Sequence, residues 1–361
     1  MQIQEKDVDH SQDELEKSVG VFFNQLLWHR QGESILLYVD QGSDDRVANT
    51  LKAHAEKRGG CTEIFALNSD QTLANQAKQL AEKIKHGSFN IICELSEQYF
   101  YLTSAWKAAR QAGARVYSLA GLNTASFVRC VGNVNHTRMF EFGMELKKVL
   151  QESRRIRIYT QNGTDIRMQL GMNVFKRLIA RLRKRPRSFI LTPCGILNDE
   201  IQTTFLGGQI SFLGVRKTIK GTAVIDGYLW PPVEIGRLDQ PIVVRFDEGK
   251  VVDIGGNPEK SKILTKWFKG QTNWVEHFSI GFNPGARLSG KILEVERFFG
   301  CMVVGLGRGY SHTDGVIVDP SIEVDDNLIE EKGAFISEKL LPLKQEMVQG
   351  EQSMSHYCGE H

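Results

Sequence analysis

His312 and Asp314 stand two residues apart in the segment Ser311-His312-Thr313-Asp314, and about 35 residues earlier the chain reads Trp274-Val275-Glu276-His277. Residues i and i+2 of a β-strand share one face, so His312 and Asp314 are placed to grip a single ion. A distant His277 would complete a three-ligand face. Two imidazoles and one carboxylate, with coordination positions left open, suit Fe(II) oxygen chemistry better than a closed structural site. A His two residues from an Asp is also common as a plain strand hydrogen bond, so the third ligand is what gives the spacing chemical meaning.

These residues need elements to hold them. From about residue 34 to 119 the chain alternates strand-like blocks (34–40, 61–67, 89–95, 115–119) with helix-like blocks (47–58, 72–85, 105–112). Such alternation predicts a parallel sheet with helices on both faces. The turn after the first strand, Asp40-Gln41-Gly42-Ser43, lacks a glycine-rich phosphate loop, so this α/β Rossmann-like part reads as a scaffold. Residues 139–151 have helical periodicity. Beyond them, 155–159, 165–170, 222–229, 242–246 and 251–254 are short alternating strands separated by Gly, Asn, Asp and Pro turns, a β-rich antiparallel pattern. The expected division is 1–150 as the scaffold, 151–345 as an α+β, β-rich metal-site domain, and 346–361 as a flexible tail.

Composition narrows the function classes. A formal charge of +2 gives no reason to expect nucleic acid, and the basic run 177–187 reads as an amphipathic helix with a solvated basic face. No apolar run approaches the roughly 20 residues that cross a membrane, and the polar, acidic first 15 residues do not read as a signal peptide. Six cysteines (Cys61, Cys93, Cys130, Cys194, Cys301, Cys358) are scattered without close pairs, the pattern of reduced thiols in a cytoplasmic protein. His356, Cys358 and His361 near the chain end are weaker ligand candidates, because chain ends are seldom held in place.

Taken in order, several segments carry a likeness: Asn162-Gly163-Thr164-Asp165, residues 246–252, Ile280-Gly281-Phe282-Asn283-Pro284, Leu293-Glu294-Val295-Glu296, residues 300–307 and the segment ending in Asp314. Their sequence resembles the aminopeptidase T family of metallopeptidases and the 2,5-dihydroxypyridine 5,6-dioxygenases, which resemble that family in framework but not in chemistry. The likeness runs from roughly 119 to 336. Where the peptidases carry a two-metal site, this chain has Ile196 and Val303 at two ligand positions and His277 in place of a Glu; of the peptidase set, Glu296, His312 and Asp314 remain. Two adjacent dications need carboxylates to offset their repulsion, so one metal is expected. On the dioxygenase resemblance His277, His312 and Asp314 carry over as iron ligands, with Glu296 beside them to accept an imidazole N–H.

The leading expectation is thus a mononuclear Fe(II) ring-cleaving dioxygenase for a small aromatic or heteroaromatic substrate. Asn198, Asn283 and Tyr310 are candidate polar groups of its site, and Glu276, Asp199 and Glu200 candidate acid-base residues. A Zn(II) or Mn(II) aminopeptidase-like hydrolase with Glu296 as base is the alternative, and a catalytically silent binding or biosynthetic partner protein the third. Asp165 reads as a turn-stabilising carboxylate, and the glycines of 305–309 as a tight turn beside the metal. A homo-oligomer, most simply a dimer, is expected from the resemblance and from the prevalence of twofold assemblies.

Overall fold

A computed structural model describes residues 9–101, 103–171, 188–198, 200–232, 234–269, 272–307 and 312–348. The basic run 177–187, the chain end from 349, Asp199 and Tyr310 lie outside these residues. Two compact units emerge, one formed by Met1–Thr137, Cys194–Gly207 and Pro284–Glu294, the other by Arg138–Pro193, Gly208–Asn283 and Val295–His361. We keep the division at residue 150 as a proposal for where the chemistry-bearing part begins.

In the first unit, strands β1 (Ile35–Val39), β2 (Thr62–Ala66), β3 (Ile91–Glu94) and β4 (Arg115–Ser118) pair in parallel in the order β2-β1-β3-β4. All five residues of β1 are buried, as expected for a strand covered on both faces. Ile35, Leu37 and Val39 point into one apolar cluster with Val47, Leu51 and Ala55 of helix α2 (Asp45–Lys57); α1 (Gln12–Val21) adds Leu15 and Val19. Leu36 and Tyr38 point into the opposite cluster with Ala77, Leu80, Ala81 and Ile84 of α3 (Leu73–His86) and Ala105, Ala108 and Ala109 of α4 (Ser104–Gln111). The helices start where side chains satisfy their first N–H groups. Ser11 and Glu14 form a capping box for α1, Asp44 accepts from Arg46 and Val47, and Thr72 accepts from Asn75. Asp40 ends β1 by accepting backbone N–H groups of Gly42, Glu97 and Gln98, so this chain's own amides fill the crest of the sheet.

After the short α5 (Thr124–Phe127) and the long α6 (His136–Glu152), the chain enters β5 (Arg155–Tyr159), β6 (Asp165–Gln169), β7 (Phe189–Ile190) and β8 (Thr203–Phe205). β8 belongs with the first unit and extends the parallel sheet beside β4, a strand the alternation 34–119 does not announce. The remaining strands are β9 (Gln209–Leu213), β10 (Lys220–Ile225), β11 (Tyr228–Trp230), β12 (Gly236–Arg237), β13 (Ile242–Asp247), β14 (Lys250–Gly256), β15 (Val275–Gly281), β16 (Cys301–Leu306), β17 (Thr313–Val318), β18 (Ser321–Val324), β19 (Asn327–Glu331) and β20 (Ala334–Phe335).

They build two antiparallel sheets in the second unit, β14-β13-β10-β6-β5-β18-β19-β20 and β12-β11-β17-β16-β15-β9-β7. Residues 222–229, expected as one strand, divide at Asp226-Gly227, and the two halves lie in different sheets. Strands β5, β6 and β13 alternate buried and open residues, whereas every residue of β16 is buried. The sheets meet face to face where Gly315 of β17 leaves room for Ile225 of β10; a Cβ at Gly315 would stand 2.6 Å from the Ile225 side chain. On the same side of the second sheet Phe212 and Phe278 stack at 5.9 Å. Asp165 caps no turn: its carboxylate sits on β6 between Arg157 at 3.0 Å and Arg167 at 3.0 Å. No described helix is long and apolar enough to cross a membrane.

Candidate metal centre

The three central strands of the second sheet bring the chemistry together. His277 of β15 pairs with Gly305 of β16, and Gly305 pairs in turn with Asp314 of β17. Cross-strand neighbours share a face, so the imidazole and the carboxylate stand on either side of a residue with no side chain. That gap is the reason for glycine here. A Cβ on Gly305 would lie 2.6 Å from the His277 Nε2 and 2.7 Å from its Cδ2. Gly305 is therefore a strand residue making room for the His277 side chain, not part of a tight turn; in the same run Gly307 adopts the left-handed φ of +119°.

His312 lies just before β17 and reaches the same face as Asp314. Its Nε2 is 2.9 Å from Asp314 Oδ2, His277 Nε2 is 3.2 Å from Asp314 Oδ1, and the two Nε2 atoms are 3.3 Å apart. Ligand atoms of His277, His312 and Asp314 all lie within 4.8 Å of one another, and no other such group of three occurs among the described residues. Side-chain exposure of 17%, 19% and 13% leaves the cluster sheltered but reachable.

The second layer differs from expectation. Ser279, two residues along β15 and fully buried, meets His277 Nδ1 at 3.1 Å, and its hydroxyl contacts that of Ser211 on β9 at 2.8 Å. With Nδ1 engaged by Ser279, Nε2 is the nitrogen turned toward Asp314 and His312. Glu296 does not accept an imidazole N–H. Its carboxylate accepts from Gln209 Nε2 at 3.3 Å and from the buried guanidinium of Arg297 at 3.3 Å. The Ser211–Ser279 pair carries no sequence signal, since the two residues are 68 apart and meet only through the pairing of β9 with β15.

Burial pushes the Asp314 carboxyl up, but His312 and then His277 outweigh it and hold the group well below the usual carboxylate range. Burial, followed by repulsion from Asp314, raises Glu296, against the pull of Arg297. A divalent cation fits this donor set. Among the described residues Asp314 Oδ1 is buried without a hydrogen bond, and the two imidazole nitrogens face the two oxygens of this carboxylate at distances where a shared cation satisfies all three groups. Val303, at a position where the resembling peptidases have a ligand, is fully buried and apolar, so this face offers no further donor there.

Asn283 is fully buried, with its backbone N–H bonded to Arg297 O. Asn198 closes its own turn by accepting from Glu200 and Ile201 N–H groups. Ile196 and Glu200 belong to the first unit, and Glu276 is the extra residue of β15 where its pairing with β16 shifts register between Val275 and His277. Cys61, Cys93 and Cys301 are free thiols.

Comparison with known proteins places the architecture. No family model and no curated protein matches the chain. Among solved structures, 2,5-dihydroxypyridine dioxygenase from Pseudomonas putida KT2440 superposes with a TM-score of 0.69 at 13% identity, covering 92% of this chain and 99% of that one. Wild-type AmpT from Thermus thermophilus superposes with a TM-score of 0.60 at 12% identity, covering 90% and 99%. At these identities the chain shares a fold with both, a distant relationship of architecture.

Proposed function

We propose that this chain is a mononuclear metal enzyme in which His277, His312 and Asp314 hold one divalent ion, with Fe(II) the preferred metal and oxidative ring cleavage of a small aromatic or heteroaromatic diol the reaction. One observation carries the reading: two imidazole Nε2 atoms and a carboxylate gathered within 4.8 Å on a partly open sheet face. Likeness of fold to a dioxygenase supports it. Fe(II) in such a set would supply redox chemistry toward O2 and a point of chelation for the diol. The protein's part is placement. Asp314 contributes the single negative charge, Ser279 orients His277, and Gly305 keeps the space between the ligand strands clear.

A second reading, a Zn(II)- or Mn(II)-dependent aminopeptidase-like hydrolase, draws on Glu296, a partly buried carboxylate close enough to Asp314 for the two to repel, which would serve as base. To separate the readings, the protein is purified without oxygen, its metal content measured, and Fe(II) restored. O2 uptake is then followed with dihydroxypyridines and catechols, beside amino-acid release from dipeptides. Oxygen consumption that disappears in Asp314→Ala together with the metal is the expected result. Metal-dependent dipeptide cleavage without O2 uptake would favour the hydrolase. A well-folded protein that takes up no metal and shows neither activity would overturn both in favour of a silent relative.

A further inference from the structure

The row of side chains that forms the metal centre continues by one strand. Asp314 of β17 pairs not only with Gly305 but, on its other side, with Trp230 of β11. His277, Gly305, Asp314 and Trp230 thus lie side by side across four adjacent strands, and all project from the same face. Trp230 is one interstrand spacing from Asp314, about 4.8 Å. Two residues back along β11, Tyr228 pairs with Val316 and lies on the same face in the next row. The flank of the centre on the β11 side is consequently aromatic, while the opposite flank, on β9 and β15, carries the hydroxyls of Ser211 and Ser279.

Trp230 is only partly buried, and among the described residues its ring meets no other aromatic ring or cation and its indole N–H has no hydrogen-bond partner. The part of the indole that stays open beside the ligand cluster offers a flat aromatic surface on which a planar ring can stack. An indole extends farther from a sheet than an Asp side chain, so Trp230, paired with Asp314, is the longest side chain of this row on the β11 side.

We propose that Trp230 is a specificity-determining residue, a stacking platform that selects planar aromatic chelators over acyclic ones at the His277–His312–Asp314 centre. This deepens the reading above and rests on it for the chelation, but the stacking contribution is measurable apart from turnover. Tyr228 extends the platform and does not replace it.

The test uses the full chain loaded with Zn(II), which is redox-silent, and two bidentate probes, catechol and acetohydroxamate, titrated by calorimetry into the wild type, Trp230→Ala and Trp230→Phe. Catechol should bind Trp230→Ala about tenfold or more weakly, in line with the loss of ring stacking on alanine substitution, and Trp230→Phe within about threefold of wild type. Acetohydroxamate should bind all three alike. Equal weakening of both probes would assign Trp230 a merely structural role, and unchanged catechol affinity in Trp230→Ala would remove the platform; either overturns the proposal. If the wild type takes up no Zn(II), the metal reading fails on its own, and the catechol titration is repeated on the metal-free protein. Binding that Trp230→Ala abolishes still supports the platform there, and no catechol binding by the wild type overturns it.

Discussion

Ser279 stands between a candidate ligand and the sheet that carries it, and its hydroxyl is the contact that turns His277 Nε2 toward Asp314. Groups that orient a ligating imidazole are commonly worth 10–100-fold in metal affinity. Ser279→Ala should therefore weaken metal binding by about that factor in a competition titration with a chromogenic chelator. It should also lower stability by about 1 kcal/mol, because partly buried partners lose a hydrogen bond. Ser279→Thr keeps the hydroxyl and should retain most of the affinity. Wild-type affinity in the Ala variant would mean that packing alone holds the imidazole. At this scale the sequence singled out the three residues that the structure gathers, since His312 and Asp314 sit two apart and His277 lies at a position marked by resemblance. It did not make their supports legible, and Glu296, expected to accept an imidazole N–H, instead accepts from Gln209 and Arg297.

Strand β16 matters because it is the middle of three, buried on both faces, and bare at the point where its neighbours' side chains must meet. Gly305→Ala places a methyl group 2.6 Å from His277 Nε2, too close for any real contact, and the rigid backbone on either side leaves the imidazole as the group that moves. The expected outcome is loss of metal binding out of proportion to the change in unfolding temperature, with the strand ladder intact. A crystal structure of the variant with His277 in its original rotamer would count against this account. Most of the first unit's elements were readable from alternation and length, because β1 and β3 are largely apolar and α2 to α4 carry helical spacing. β8 was not. Three residues long and remote from the other parallel strands, Thr203–Phe205 has no periodicity of its own and is defined by its pairing with β4.

On the scale of the whole molecule, stability should depend on pH through a group far in sequence from the metal centre. Glu94 ends β3 with no exposure, accepts the Phe100 N–H at 2.7 Å, and is pushed up to about 7, mainly by burial. Its folded-state value lies above the unfolded one, so the folded state holds the proton more tightly. That contribution is fully present below about pH 4.5 and is lost as pH rises through about 7. Glu94→Gln should flatten denaturant-derived stability across this window, and an unchanged pH profile would remove Glu94 as its source. We also propose a homodimer. Light scattering at micromolar concentrations should give about twice 40.7 kDa, and a monodisperse mass of 40.7 kDa would refute it.

By itself the sequence determined an α/β beginning, a β-rich continuation and which residue types stand in one cluster. Those follow from local rules: apolar alternation is written residue by residue, and an i, i+2 pair on a strand shares a face whatever else the chain does. Tertiary structure alone decided which strands became neighbours. That Gly305 lies between His277 and Asp314, that Ser211 finds Ser279, and that Trp230 borders the centre are consequences of register among β9, β11, β15, β16 and β17. Strand register is fixed by burying one face of every strand at once, a property of the assembled sheet that no single segment carries.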